Sequence, residues 1–213
     1  VAEHLARVMP DAPDAMEMQA RFEFEFGSVE MAKELWTKLL ERQSNYAYAL
    51  VGLGAIATLE GRLSDAVSFH RRAVLVDPNN LAQQIRLGVA LMANGELDES
   101  KLVLQSVIAK NDKFPDAFIE LATVNLQLGE LEEARKDFES ALNLTPDSAR
   151  AHQGLVVAYG RLKNKEKMEW HQAEHVRLRE QAGQERSMGR KTYDDVAALK
   201  RINIAEHHDP AKG

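Results

Sequence analysis

Three stretches of the chain share one outline at a fixed interval: LEGRLSDAVSFHRRAVLVDPN at 59–79, ANGELDESKLVLQSVIAKND at 93–112 and LGELEEARKDFESALNLTPD at 128–147. Gly61, Gly95 and Gly129 within them are 34 residues apart. A period of this length marks stacked structural repeats, in which no unit buries its apolar face alone and each needs a neighbour. With the count started at Pro13, five units follow without an insertion: 13–46, 47–80, 81–114, 115–148 and 149–182.

The choices at fixed positions have mechanical reasons. Apolar residues recur at helical spacing on both sides of position 15, so each unit reads as helix, turn, helix. Position 15 holds Gly27, Gly61, Gly95 and Gly129, then Lys163; glycine there ends the first helix in a left-handed conformation at little cost. Position 8 is Ala20, Gly54, Gly88, Ala122 and Val156, and position 20 is Ala32, Ala66, Ser100, Ala134 and Met168. Small residues at both let the two helices cross closely, and a bulky replacement is expected to cost about 1–3 kcal/mol. Trp36, Leu104 and Phe138 at position 24 fill the space between neighbouring units. Pro78 and Pro146 at position 32 stop the second helix.

This pattern resembles the tetratricopeptide repeat, a helical hairpin of 34 residues. The matching residues are Leu53, Gly54, Ala66, Ala73 and Pro78 in one unit, and Leu121, Ala122, Ala134, Phe138, Ala141 and Pro146 in another. The resemblance covers 13–182 and is weaker in the first and last units. It implies an all-α fold, a right-handed superhelix (α-solenoid) of stacked hairpins. In the first unit RFEFEF alternates like a strand, but Met18, Phe22 and Phe26 are four apart and a lone strand has no partner, so helix is expected. Asn125 falls at position 11, usually a packing position, so it needs a hydrogen-bond partner if buried.

Residues 1–12 fit the end of a preceding second helix, with Leu5 and Pro10 in register. With no methionine at its start, the sequence reads as an excerpt of a longer array. After Ala182 the period is lost. GQERSMGRK, at 183–191, reads as a linker, and the following residues as one more helix, N-capped by Thr192, that caps the array or docks elsewhere.

Composition narrows the function. The chain has no cysteine, which removes disulfides, thiolate metal sites and cysteine nucleophiles. No apolar run approaches the roughly 20 residues of a membrane span. Residues 1–148 carry 14 Lys+Arg against 24 Asp+Glu, while 149–213 carry 13 against 9, so an acidic body joins a basic end. That end invites RNA, but it lacks the interleaved aromatic residues that stack bases. HQAEH, from His171 to His175, matches an inverted zinc motif, yet a catalytic site needs a third ligand and a cleft. His70 and His152 fall at packing positions and read as structural. No phosphate-binding glycine loop or nucleophile elbow is present. We therefore expect no enzyme activity, no cofactor and no metal.

The family resemblance implies that first helices line the concave side, with positions 2, 5, 6, 9, 12 and 13 facing a groove. In the first unit these positions include Glu17, Arg21 and Phe24. The candidate binding residues of the second unit are Tyr48, Val51, Ala55, Thr58 and Leu59. Those of the third are Ile85, Arg86, Val89 and Met92. The fourth contributes Ile119, Glu120, Thr123 and Leu126, and the fifth Arg150, Gln153 and Val157. The lysine and asparagine pairs with which some family members grip a terminal carboxylate are absent. An apolar lining with Arg86, Glu120 and Arg150 as polar anchors suits an apolar or amphipathic protein segment. The competing expectation is self-association through the C-terminal helix, driven by the charge asymmetry.

Overall fold

The structure is a computed structural model that describes the backbone of residues 12–206 and the side chains of residues 12–188. The segment read as the end of a preceding repeat lies outside the described residues, apart from Ala12. So do His207, His208 and the chain end. Ten helices occur among the described residues, and no strand. They are α1 (Pro13–Phe26), α2 (Val29–Arg42), α3 (Ala47–Leu59), α4 (Leu63–Val76), α5 (Leu81–Ala93), α6 (Leu97–Lys110), α7 (Pro115–Leu128), α8 (Leu131–Leu144), α9 (Ala149–Arg161) and α10 (Lys165–Glu206). Consecutive helices pair as antiparallel hairpins, and each second helix packs on the next first helix. The stack is an all-α right-handed superhelix.

The turn at position 15 shows why glycine recurs. Gly61, Gly95 and Gly129 have φ of 73°, 84° and 80°. After α3 the Arg62 N–H bonds to the Ala57 carbonyl (2.8 Å) and the Gly61 N–H to the Thr58 carbonyl (3.1 Å). This is the double closure that satisfies a helix's last carbonyls. The same pair closes α5 and α7. In the last unit Lys163 adopts φ 59° in the same turn, a conformation that strains a residue bearing a Cβ. Gly27 departs from the series, with φ −126°. There the Glu23 carboxylate accepts from the Ser28 N–H (3.0 Å) and the Ser28 hydroxyl accepts from the Met31 N–H (3.3 Å), so side chains replace the left-handed turn.

Packing follows a large-on-small rule. A Cβ on Gly52 would lie 2.5 Å from the Trp36 ring, and one on Gly154 would lie 2.2 Å from Phe138. Within hairpins, Leu104 crosses Gly88 and His70 crosses Gly54 in the same way. Ser100 takes the place of the usual alanine at position 20 and is fully buried, because its hydroxyl donates to the Gly88 carbonyl (2.7 Å). The apolar interior is a series of local clusters, each spanning adjacent helices: Trp36 and Leu39 with Leu53 and Ile56; Val67 with Leu87 and Leu91; Leu104 with Leu121 and Val124; Phe138 with Leu155 and Tyr159. Asn125 is buried and donates to the Asp137 carboxylate (2.8 Å). Burial pushes the Asp137 pKa up to about 6, and the Asn125 hydrogen bond only partly offsets this.

The expected linker at 183–191 is not formed. α10 runs unbroken through it to Glu206, and Thr192 lies inside the helix rather than at its start. Two glycines cost a helix only about 1 kcal/mol each, and a helix already nucleated on α9 propagates through the strong helix formers around them. α10 buries His171 and Leu178, and residues 179–188 are exposed.

Two substitutions test these rules in opposite directions. Gly154→Ala should lower unfolding free energy by about 1–3 kcal/mol, since a rigid ring must move. Lys163→Gly should raise it by about 0.5–1 kcal/mol by relieving the left-handed strain. Urea melts of both variants check the signs.

Candidate functional site

The first helices α1, α3, α5, α7 and α9 face one channel, and a cavity of about 570 Å³ lies in it. Its wall is apolar in the middle: Val51, Ala55 and Leu59 from α3, and Ile85 and Val89 from α5. Phe24 closes one side from α1. Thr58 also lines it, its hydroxyl returned to the Gly54 carbonyl (3.0 Å), so no unpaired donor faces the lumen there. At the far end Arg150 from α9 donates to Glu120 on α7 (2.6 Å) and lies 3.6 Å from Asp116. Arg86 lines the middle and has no ion pair among the described residues.

The candidates read from position therefore divide. Val51, Ala55, Thr58, Leu59, Ile85, Arg86, Val89, Glu120 and Arg150 converge on this cavity. Tyr48, 64% exposed, sits outside it beside Tyr46. Gln153 and Val157 are exposed on α9 beyond the cavity. Met92 is half-buried against the Leu104 cluster, and Thr123 bonds back to the Ile119 carbonyl (2.8 Å). Ile119 and Leu126 are corrected: both are buried in the Phe138 cluster, and neither lines this cavity. α9 packs over α7 here, and Arg161 reaches across to the Leu126 carbonyl (2.8 Å). The cavity also gathers His70, Phe114 and Asp116, which position-reading missed. Asp116 is a position-2 residue and was findable by that rule. Phe114 ends the preceding unit, and His70 belongs to a second helix, so neither carries a groove signal.

A family model for the tetratricopeptide repeat matches residues 85–165. Those residues carry the tetratricopeptide repeat, and the array as a whole has the fold of such repeats. Among solved structures, MamA from Desulfovibrio magneticus RS-1 superposes with a TM-score of 0.69 at 20% identity, covering 82% of this chain and 98% of that one. YrrB gives 0.63 at 19% identity, over 84% and 92%. Cut9 in the Cut9–Hcn1 hetero-tetramer gives 0.75 at 19% identity, over 84% of this chain and 36% of that chain. These likenesses speak for the fold. The sequence matches no curated protein.

In this array the histidines of HQAEH serve packing. His152 Nε2 lies 3.1 Å from the Pro146 carbonyl and so carries the proton. Its Nδ1 then accepts from His171 Nδ1–H at 2.9 Å. His171 stacks on Tyr159, whose hydroxyl donates to Glu139 (2.6 Å). His175 Nδ1–H donates to the Ala149 carbonyl (2.9 Å). No cluster of three metal-ligating side chains exists among the described residues. None of their helices is long and apolar enough to cross a membrane.

Burial, with His152 adding, pushes the His171 pKa from its ordinary 6.5 down to about 4, against Glu139 and Glu174, which act the other way. A histidine depressed in the folded state stabilises it fully above the unfolded pKa. That contribution disappears as pH falls from about 6.5 towards 4. His171→Gln keeps a donor towards His152 but cannot titrate. Its stability should therefore fall less across this interval than that of the wild type, by roughly 1–3 kcal/mol. Urea melts at pH 7 and pH 4.5 measure the difference.

Proposed function

We propose that this chain is a non-enzymatic scaffold whose concave channel holds an apolar or amphipathic segment of a partner protein. The carrying observation is an open, apolar-walled cavity that runs across the first helices and is closed at one end by the Arg150–Glu120 pair. Leu59 is 69% exposed at its wall, and Val51, Ile85 and Val89 are partly buried there. Contiguous apolar surface of this kind loses its contact with water when a segment binds, which favours association. The tetratricopeptide fold supports the reading, since such arrays present extended concave surfaces to polypeptides. So does YrrB, described as having an unusual peptide-binding site. Shape and apolar contact would set affinity, and the charged end would set the direction in which the segment lies.

The test alters the wall without touching the core. Leu59→Glu with Val89→Glu places two carboxylates in the channel at residues that are exposed or partly buried. Ile119 is unsuitable, because at 4% exposure a charge there would break the Phe138 cluster. The double variant should keep its circular dichroism and its thermal midpoint within a few degrees. It should lose at least about tenfold in affinity for partners captured by the wild type, since charges stranded in an apolar contact oppose binding. Unchanged capture by a folded double variant would contradict the channel as the binding surface.

A further inference from the structure

We propose that the channel reads a carboxylate, at a spot formed by His70 and Arg86, so that its preferred occupant is a peptide segment with one acidic side chain set between apolar ones. This rests on the channel reading above and goes further by naming what the segment must carry.

Position 24 of the repeat is a plug beneath the first helices. Trp36, Leu104 and Phe138 fill it with apolar groups, and the second unit puts His70 there. Its ring lies against Gly54 and reaches the channel floor, where it is 6% exposed. Nδ1 is fully buried, and neither ring nitrogen has a hydrogen-bond partner among the described residues. A buried polar group without a partner weakens a fold, and native structures keep few of them. Nδ1 is closed off from the channel, so Nε2, which also has no partner among the described residues, is the nitrogen that a group entering the channel can meet.

Arg86 decides the charge of that partner. It lines the same cavity from α5 and pairs with nothing among the described residues. Arg150, the other channel arginine, is already matched by Glu120 and Asp116. The charged groups of the lining balance overall, but they are separated: two carboxylates share Arg150 at the far end, and the unpaired Arg86 leaves local positive charge on the side of His70. Burial, with Arg86 adding to it, pushes the His70 pKa down to about 4. The ring is neutral at pH 7, and in the tautomer protonated at Nε2 it has one N–H to offer the channel. A carboxylate would accept from the guanidinium and from that N–H together, in charge-assisted bonds strengthened by the apolar wall. An amide could accept but would leave Arg86 uncompensated, and a lysine would be repelled. Val51, Ala55, Leu59, Ile85 and Val89 surround the spot, so the residues flanking the acid should be apolar. The arrangement is unlike lysine and asparagine pairs on groove positions, because one of its two groups rises from a second helix.

The experiment pans a phage library of random twelve-residue peptides on three immobilised proteins: wild type, Arg86→Gln, and the Leu59→Glu/Val89→Glu double variant. One enriched peptide is then synthesised with its acidic residue as Glu and as Gln. The wild type should enrich a single Asp or Glu bracketed by apolar residues. The Gln peptide should bind wild type about tenfold more weakly than the Glu peptide, and Arg86→Gln should discriminate by about twofold at most. On addition of the Glu peptide alone, the ring nitrogen resonances of His70 should shift. A wild-type pool without acidic preference, or equal Glu-to-Gln losses in both proteins, overturns the carboxylate spot. It leaves the channel reading standing if the double variant enriches nothing. Enrichment of the same peptides on the double variant, or no convergent pool at all, overturns both.

Discussion

The close contact of a large side chain with a glycine is the constraint on which the rest of the molecule depends. Trp36 on Gly52 and Phe138 on Gly154 bring a second helix against the next first helix at a distance that a single Cβ would prevent. Leu104 on Gly88 does the same inside a hairpin. Repeated along the stack, these contacts hold the first helices side by side on one surface. The channel is the space left between them. It exists because the packing partners of the first helices lie behind them, among the second helices, leaving the forward faces of α3 and α5 without a covering layer.

Because the core is divided into neighbouring clusters, each change acts locally. A wall residue such as Leu59 belongs to none of the buried clusters, whereas Ile119, two repeats further along, belongs to the Phe138 cluster. The first and last described helices differ from the middle of the stack. At α10 the array finishes on a hydrogen-bonded histidine and tyrosine layer built from His152, His171 and Tyr159, and the helix then continues past its last packing partner. At α1, Phe22 and Phe26 lie 5.6 Å apart at 56% and 75% exposure. Position 10, held by Phe22 in the first unit, is buried as Ile56, Ala90, Val124 and Ala158 in the others.

Much of the architecture was legible in the sequence because the repeat records backbone needs. A glycine every 34 residues marks a left-handed turn, and the small and large positions mark helix crossings. The starts of α1, α3, α5, α7 and α9 coincide with Pro13, Ala47, Leu81, Pro115 and Ala149 for that reason. Gly27 kept the letter without the conformation, since Glu23 and Ser28 supply another way to close the turn. The channel was legible less fully. A rule by position treats all units alike, but α9 covers the middle of α7, so Ile119 and Leu126 became core while Val51 and Val89 stayed in the wall. His70 was hidden for a different reason. A histidine among plugs of tryptophan, leucine and phenylalanine looks like an ordinary substitution until its hydrogen bonds can be counted. The tail was misread because Gly183 and Gly189 look like punctuation, yet isolated glycines weaken a helix without ending it.

The chain contains no cysteine, so single cysteines can report directly on whether the channel is open. Val89→Cys on the wall and Leu91→Cys in the core are two residues apart on α5, with Leu91 fully buried. Their rates of reaction with a small thiol reagent under native conditions are the decisive comparison. An open channel predicts that Cys at the Val89 site reacts orders of magnitude faster than Cys at the Leu91 site, and that a bound partner segment slows only the former. Equal, slow reaction at both sites would mean that the wall is sealed and no segment can enter.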